Sequence, residues 1–296
     1  MSAGTNIWRV LLAAGSFLLP LSLSRANETN APAPATTNAP ATPPAPTAPQ
    51  PSDADLFFTQ YAKAVRLVRQ NAHQEASIVM DLLWRKLSTS PWFEIALLKH
   101  AELNEISNPQ VATQDYDLLR KRVENAPYFQ GTAGHAAVFR AALLGAIARG
   151  TDRIRLLRIR DGLDRYHARY RQYPESLVKL AIFNYVDMED VYDADGRMFH
   201  YTPTGQQFTP TISYQRYDLE SLPPEPFYVT TPKLDGTARL DETTKKYAAL
   251  IRVPNRMDPQ RVLEDQTIEG YLVAAVAAGG AIVCTPDRVL VLLVPQ

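Results

Sequence analysis

The sequence predicts an α+β protein, because three patterns follow one another along its 296 residues. Apolar residues recur at helical spacing from about residue 54 to residue 170; Ile159, Leu163, Tyr166 and Tyr170 fall at i, i+4, i+7 and i+11. Beyond residue 190 the spacing shortens to alternating runs between Gly and Pro turns, and Val289–Val294 is an unbroken apolar run of strand length. The lone Cys284 has no intramolecular partner, so the fold is held by its core rather than by disulfides.

Residues 1–26 have the form of a secretory signal peptide: Arg9, an apolar run from Val10 to Leu23, then Ser24-Arg25-Ala26 with small residues where a signal peptidase needs them. The run is short for a bilayer span, and no cysteine follows it for lipid attachment; the alternative is an uncleaved anchor. Removal takes two of the 31 Lys and Arg and none of the 31 Asp and Glu, leaving a net charge of about −2. Such a balance excludes general binding to nucleic acid or anionic membrane. Residues 27–53 are rich in Pro, Ala and Thr with almost nothing to bury, which predicts an extended linker, either a spacer through an envelope layer or an unselected tail.

A helical-hairpin domain is expected over 54–132. Leu56–Gln70 presents Phe57, Tyr61, Val65 and Val68; Gln74–Leu87 presents Ile78, Val79, Leu82, Leu83 and Leu87; Ser90-Pro91 opens a helix from Trp92 to Asn104. Thr113 caps a fourth helix that Pro127 closes. Phe57-Phe58 recurs as Trp92-Phe93, and Asp81-Leu-Leu-Trp-Arg-Lys-Leu87 as Asp117-Leu-Leu-Arg-Lys-Arg-Val123, about one helical hairpin apart.

Residues 133–220 form the next unit. An alanine-rich helix over Ala133–Arg149 leads into a basic helix from Arg153, and Gly150-Thr151-Asp152 either restarts the helix or lies within one long one. Pro174 ends it, since the residue before proline is driven out of the α region. A short helix over Glu175–Ile182 and an acidic turn, Asp193-Ala-Asp195-Gly196, come next. Met198 and His200 then alternate with Phe199 and Tyr201 up to a second turn at Gly205.

The order of Leu163, Tyr166, Tyr173-Pro174, Asp193, Gly196, Phe199, Tyr201 and Gly205 resembles the globular part of type II secretion pseudopilins and type IV pilin relatives. The resemblance spans about residues 154–217 and implies a long helix packed on a small antiparallel sheet. No pilin leader or long apolar anchor helix stands at the N-terminus, so a polymerising pilin is not expected.

Residues 221–296 predict a small C-terminal α/β element. A strand at Thr211–Tyr217 closes the preceding unit; within this one a strand is expected at Phe227–Thr230, with a turn at Asp235-Gly236 and a strand or helix end over Tyr247–Val253. A helix from Asp258-Pro259 to Ala278 is stopped by Gly279-Gly280. A hairpin follows about Thr285-Pro286-Asp287, with Val289–Val294 buried on both faces.

The chain carries no phosphate-binding G-x-x-x-x-G-K loop, no H-E-x-x-H, G-x-S-x-G or C-x-x-C, and its five histidines stand singly. The candidate metal residues are Glu189, Asp190, Asp193 and Asp195, and Ca2+ is the ion such an oxygen-rich turn takes; the alternative is a solvated turn bonding its own backbone. Calcium is also the ion the resemblance implies, in a loop further along that maps onto no named residue here. Arg155, Arg158, Arg165 and Arg169 are the candidate partner-binding residues, suited to an acidic partner. The leading functional expectation is an exported noncatalytic interaction or scaffold protein of the cell envelope, associated with a pilus-like or type II secretion-like machine. The partner expected is an envelope or secretion-system protein, not nucleic acid, with no membrane span once the signal is removed. The alternative is an envelope-polymer hydrolase using the 187–195 acids with His200.

Overall fold

Ser52 opens the first helix, its hydroxyl accepting from the Asp55 N–H at 3.2 Å, in a computed structural model that describes residues 52–125, 134–208, 213–223, 225–241, 246–254, 256 and 258–295. The signal segment, the linker up to residue 51, Pro127 and residues 209–212 lie outside the described residues. Six helices and nine strands follow: α1 Asp53–Arg69, α2 His73–Lys86, α3 Phe93–Asn104, α4 Pro109–Asn125, α5 His135–Tyr170, α6 Leu177–Ile182, β1 Tyr201–Phe208, β2 Ser213–Leu219, β3 Lys233–Asp241, β4 Lys246–Arg252, β5 Gln260–Val262, β6 Thr267–Ile268, β7 Tyr271–Ala277, β8 Gly280–Thr285 and β9 Arg288–Leu293. The molecule is α+β with antiparallel sheets. Among the described residues no helix is long and apolar enough to cross a membrane.

Consecutive helices α1 to α4 pack on one another, and α3 is their centre, buried at every residue from Phe93 to Asn104. The expected stripe of α2 is corrected. Ile78 and Leu82 are 59 % and 64 % exposed, while Ala76, Met80, Leu83 and Leu87 face inward at the same helical spacing. Small Ala76 and flexible Met80 let α2 lie close to its neighbours. Thr113 does not cap α4; the helix begins at Pro109, and the Thr113 hydroxyl bonds back to the Pro109 carbonyl.

One helix of 36 residues runs through Gly150, about 54 Å at 1.5 Å per residue. Its first half (Ala142, Leu143, Ala146, Ile147) joins the helical core. Its second half (Leu156, Ile159, Leu163, Tyr166) joins a separate core with Leu177, Leu180, Val191, Phe199 and Leu219. The basic helix therefore shares its core with residues 177–199 and with Leu219 of β2, and Tyr201 of β1 donates to the Pro174 carbonyl at 2.8 Å. Gly150 and Gly162 are packing notches; a Cβ at Gly150 would stand 2.3 Å from the Tyr116 ring. Tyr170 departs from the expected stripe and is half-exposed at the helix end, against Tyr166. Gly205 is not a turn. It lies inside β1, where the register with β2 shifts between Pro203 and Gln206.

The C-terminal third is corrected most. The helix expected over 258–278 is instead β5, β6 and β7, broken by positive φ at Asp265, Glu269 and Gly270. Asp235-Gly236 sits within β3 at a bulge, Phe227–Thr230 is irregular, and residues 246–252 settle as a strand. The sheet β6–β7–β8–β9 forms a middle layer. Leu272, Ile282, Cys284, Val289 and Val291 face the helices, and Val273, Ala281, Val283, Leu290 and Leu292 face the sheet β3–β4–β5 through Leu234, Ala249, Ile251 and Val262. The unbroken run of β9 is thus buried on both faces, as its lack of alternation predicts.

Candidate functional site

The acidic turn is built from residues 187–196. Asp190 is buried and pairs with Arg158 at 3.1 Å. Asp193 Oδ1 accepts from the Asp195 N–H at 3.0 Å and the Arg197 N–H at 2.7 Å, so it closes the turn on its own backbone. Asp195 lies 3.8 Å from Arg197 in the open, and Glu189 lines a shallow hollow with Arg120, Arg155 and Tyr192. Asp152 on α5 accepts from the Ala194 N–H at 2.7 Å, and partial burial pushes its carboxyl up to about 6. Among the described residues no three His, Cys, Asp or Glu side chains are grouped to hold a metal. His200 is turned to Asp218 on β2, at 3.6 Å and exposed, rather than to the acids of the turn.

The arginines of α5 are engaged within the chain. Arg155 donates to the Tyr192 carbonyl at 3.0 Å, Arg158 to Asp190, and Arg165 to the Tyr185 carbonyl at 2.7 Å and to Asp161. Arg169 lies over the Tyr170 ring, 5.5 Å from its centroid. These contacts tie the helix to residues 185–192.

Sequence reasoning missed the charges inside the helical layer. Lys99 and Glu102 pair at 2.6 Å, both buried; Arg153 forks onto Glu105 at 2.7 and 2.6 Å and approaches Glu225 at 3.7 Å; Tyr116 donates to Glu105. Burial pushes the Glu102 carboxyl up to about 7 against the pull of Lys99, with Glu105 and Glu225 adding to the rise. The one sequence signal was α3 itself, whose charges fall on every side of the helix rather than on one polar face.

A chain of hydrogen bonds in the same layer has the order nucleophile, base, acid. Ser77 Oγ lies 3.3 Å from His100 Nε2, and His100 Nδ1 lies 2.7 Å from Asp115. Ser77, however, sits beyond the first turn of α2, where backbone N–H groups are taken by the helix ladder, and its hydroxyl donates to Asn104 at 3.0 Å. The group braces α2, α3 and α4.

A cleft of about 460 Å3 lies between α1 and the end of β9. Phe58, Tyr61 and Ala62 form one wall, Val291, Leu293 and Val294 the other, with Tyr228 and Val229 beside them. The walls meet because Gly279 and Gly280 admit Phe58; a Cβ at Gly279 would stand 2.6 Å from Phe58 Cβ. Tyr61 is held by donating to the Phe227 carbonyl. Arg66 and Arg69, in the last turn of α1, stand at the cleft, Arg69 over the Tyr228 ring at 4.8 Å. Among the described residues neither is paired with a carboxylate. The two charges outweigh the roughly half unit of negative charge at a helix C-terminus, so the cleft has a positive rim beside partly apolar walls. It suits an anionic ligand that also has apolar groups to bury. No family model, curated protein or solved structure matches the chain.

Proposed function

We propose that this chain is an exported, noncatalytic interaction protein of the cell envelope, and that the cleft between α1 and β9 is where it holds its partner. The observation that carries this reading is the pair Arg66 and Arg69, neither matched to a carboxylate among the described residues, at a cleft of about 460 Å3, a size typical of binding sites. The form of the N-terminal segment supports export. The order of long helix, acidic turn and hairpin over residues 154–217 supports kinship with pseudopilins, and so a partner in a pilus-like or type II secretion-like machine. The test is affinity capture of the tagged full chain from the envelope fraction of its own cells, beside Arg66→Glu/Arg69→Glu. Recovery of one envelope protein by the parent chain and its loss with the variant is the expected result. A chain found only in the cytosol, or capture that ignores the two arginines, overturns the reading.

A further inference from the structure

We infer that residues 225–230 are a strap across α1 and β9 that a single proton latches: neutral Glu102 donates to the Glu225 carboxylate and keeps the strap closed, and ionised Glu102 frees it.

The strap is held by its side chains. Among the described residues no backbone-to-backbone hydrogen bond is made by residues 225–230, so its opening breaks no helix or sheet ladder. Phe227 is buried against the Tyr61 ring, centroids 5.1 Å apart, and the Tyr61 hydroxyl donates to its carbonyl. Tyr228 lies under Arg69, and with Val229 it sits beside Val291 and Leu293 of β9. Glu225 is the one charged residue of the strap. Its side chain is 8 % exposed, yet Arg153 and Arg288 stand 3.7 Å from it, and its Oε1 makes no hydrogen bond among the described residues. A buried carboxylate oxygen in that position calls for a donor.

The donor stands across a cavity of about 10 Å3, the room of one water, which Glu225 shares with Glu102. The other charges around the cavity are already matched. On α3, Lys99 takes Glu102 Oε2 at 2.6 Å; from α5, Arg153 holds Glu105 and Arg149 holds Asp287, which precedes β9. Arg288, at the start of β9, leans on Glu225 itself. The hydroxyls of Tyr61 on α1 and Tyr116 on α4 are committed to the Phe227 carbonyl and to Glu105.

Burial pushes the Glu102 carboxyl up to about 7, with Glu105 and Glu225 adding to the rise, so the proton is present in acid and lost above neutrality. A carboxylic acid donates one hydrogen bond and a carboxylate none. On ionising, Glu102 also competes for Arg153 Nη1, which lies 3.7 Å from Glu225 and makes no hydrogen bond among the described residues. Both changes loosen Glu225. A carboxyl raised in the folded state stabilises below its ordinary value and ceases to do so as pH passes the raised one, so the strap is closed in acid and freed above about pH 7. Tyr228 and Val229 line the cleft, so the latch also sets how far the cleft opens; that consequence rests on the cleft being the partner site, and the latch itself does not.

The test is hydrogen–deuterium exchange of the full chain, read by mass spectrometry from about pH 5.5 to pH 8.5 and corrected for the pH dependence of unfolded amides. Protection of the amides of residues 227–230 is expected to fall about tenfold between pH 6 and pH 8, the factor that one unit of differential proton affinity supplies. The amides of α3 and β8 should stay slower throughout, because they open only with the whole fold. In Glu102→Gln, whose amide donates at every pH, protection of the strap should stay level; should that variant not fold, the parent series still decides. Protection that is level across pH 7 in the parent, that falls equally in Glu102→Gln, or that follows α3 and β8 in step overturns the latch. Envelope capture is expected to be stronger at pH 8 than at pH 6. Capture that depends on Arg66 and Arg69 but not on pH keeps the partner site and removes the hold of the strap over it, whereas capture indifferent to both arginines removes the partner site and leaves the latch standing on the exchange result.

Discussion

Replacing Gly150 by alanine should destabilise the protein although Gly150 lies in mid-helix, where alanine is the better residue. Helix propensity alone favours the change by about 1 kcal/mol. The new Cβ, however, would stand 2.3 Å from Tyr116 Cζ and Oη and 2.6 Å from Cε2, far inside contact distance. Tyr116 is 1 % exposed and its hydroxyl donates to Glu105, which also holds Arg153, so the ring has nowhere to go without breaking the network. Overpacking of this kind costs about 1–3 kcal/mol, and a buried carboxylate deprived of a donor costs a similar amount. Against the propensity gain, the net loss is about 1–5 kcal/mol. Urea unfolding followed by circular dichroism should show a lower midpoint at unchanged slope. Tyr116→Ala opens the space, and in that background Gly150→Ala should turn stabilising by up to about 1 kcal/mol. A raised midpoint for Gly150→Ala in the parent chain would refute the packing argument.

Two further outcomes follow from buried ionisable groups. The Glu102 carboxyl, near 7 when folded against 4.5 ordinarily, binds its proton more tightly in the native state. Its contribution is therefore full below about pH 4.5 and declines as pH rises to about 7, by at most about 3 kcal/mol, with no further change above. Glu102→Gln should flatten stability between pH 5 and pH 8 whatever its effect on the absolute value, and an unchanged slope in urea curves would show that Glu102 is not its source. Cys284 is buried and its thiol is pushed up to about 12, so labelling by a thiol reagent at pH 8 should track global unfolding; rapid modification of the native chain would contradict its place on the helix-facing side of β8.

Local pattern revealed what local physics decides. Asp193 to Gly196 turns the chain because positive φ at Gly196 acts within a few residues, whereas α5 stops at Tyr170 on the left-handed Arg171, ahead of the expected stop at Pro174. Where a non-local partner decides, the pattern misleads. Tyr271–Ala277, with three alanines and Asp258-Pro259 upstream, carries the marks of a helix, yet pairing with β8 on one side and β6 on the other makes it a strand. On α2 the bulkier Ile78 and Leu82 lost the interior to Ala76 and Met80, a choice set by how closely the neighbouring helices approach. The cleft was the least legible feature. Arg66 and Arg69 read as ordinary complements of a helix dipole until β9, more than 200 residues on, is laid beside them.

The chain's arginines divide by what they already hold. Those of α5 dominate the sequence, but Arg153 is bound to Glu105, Arg155 to the Tyr192 carbonyl, Arg158 to Asp190 and Arg165 to the Tyr185 carbonyl. A hydrogen bond to a charged group is worth about 1.5–3 kcal/mol, which a partner would have to replace before gaining anything. Truncating Arg153 would strand buried Glu105, a loss typically of about 3–5 kcal/mol, so its first role is to fix α5 against the helical layer. Arg66 and Arg69 carry no such obligation among the described residues, and Arg69 is oriented by the Tyr228 ring without being neutralised by it. A partner that meets these two guanidinium groups has no ion pair among the described residues to replace. Position on the fold, rather than abundance in the sequence, therefore selects the shorter pair on α1 over the long basic face of α5.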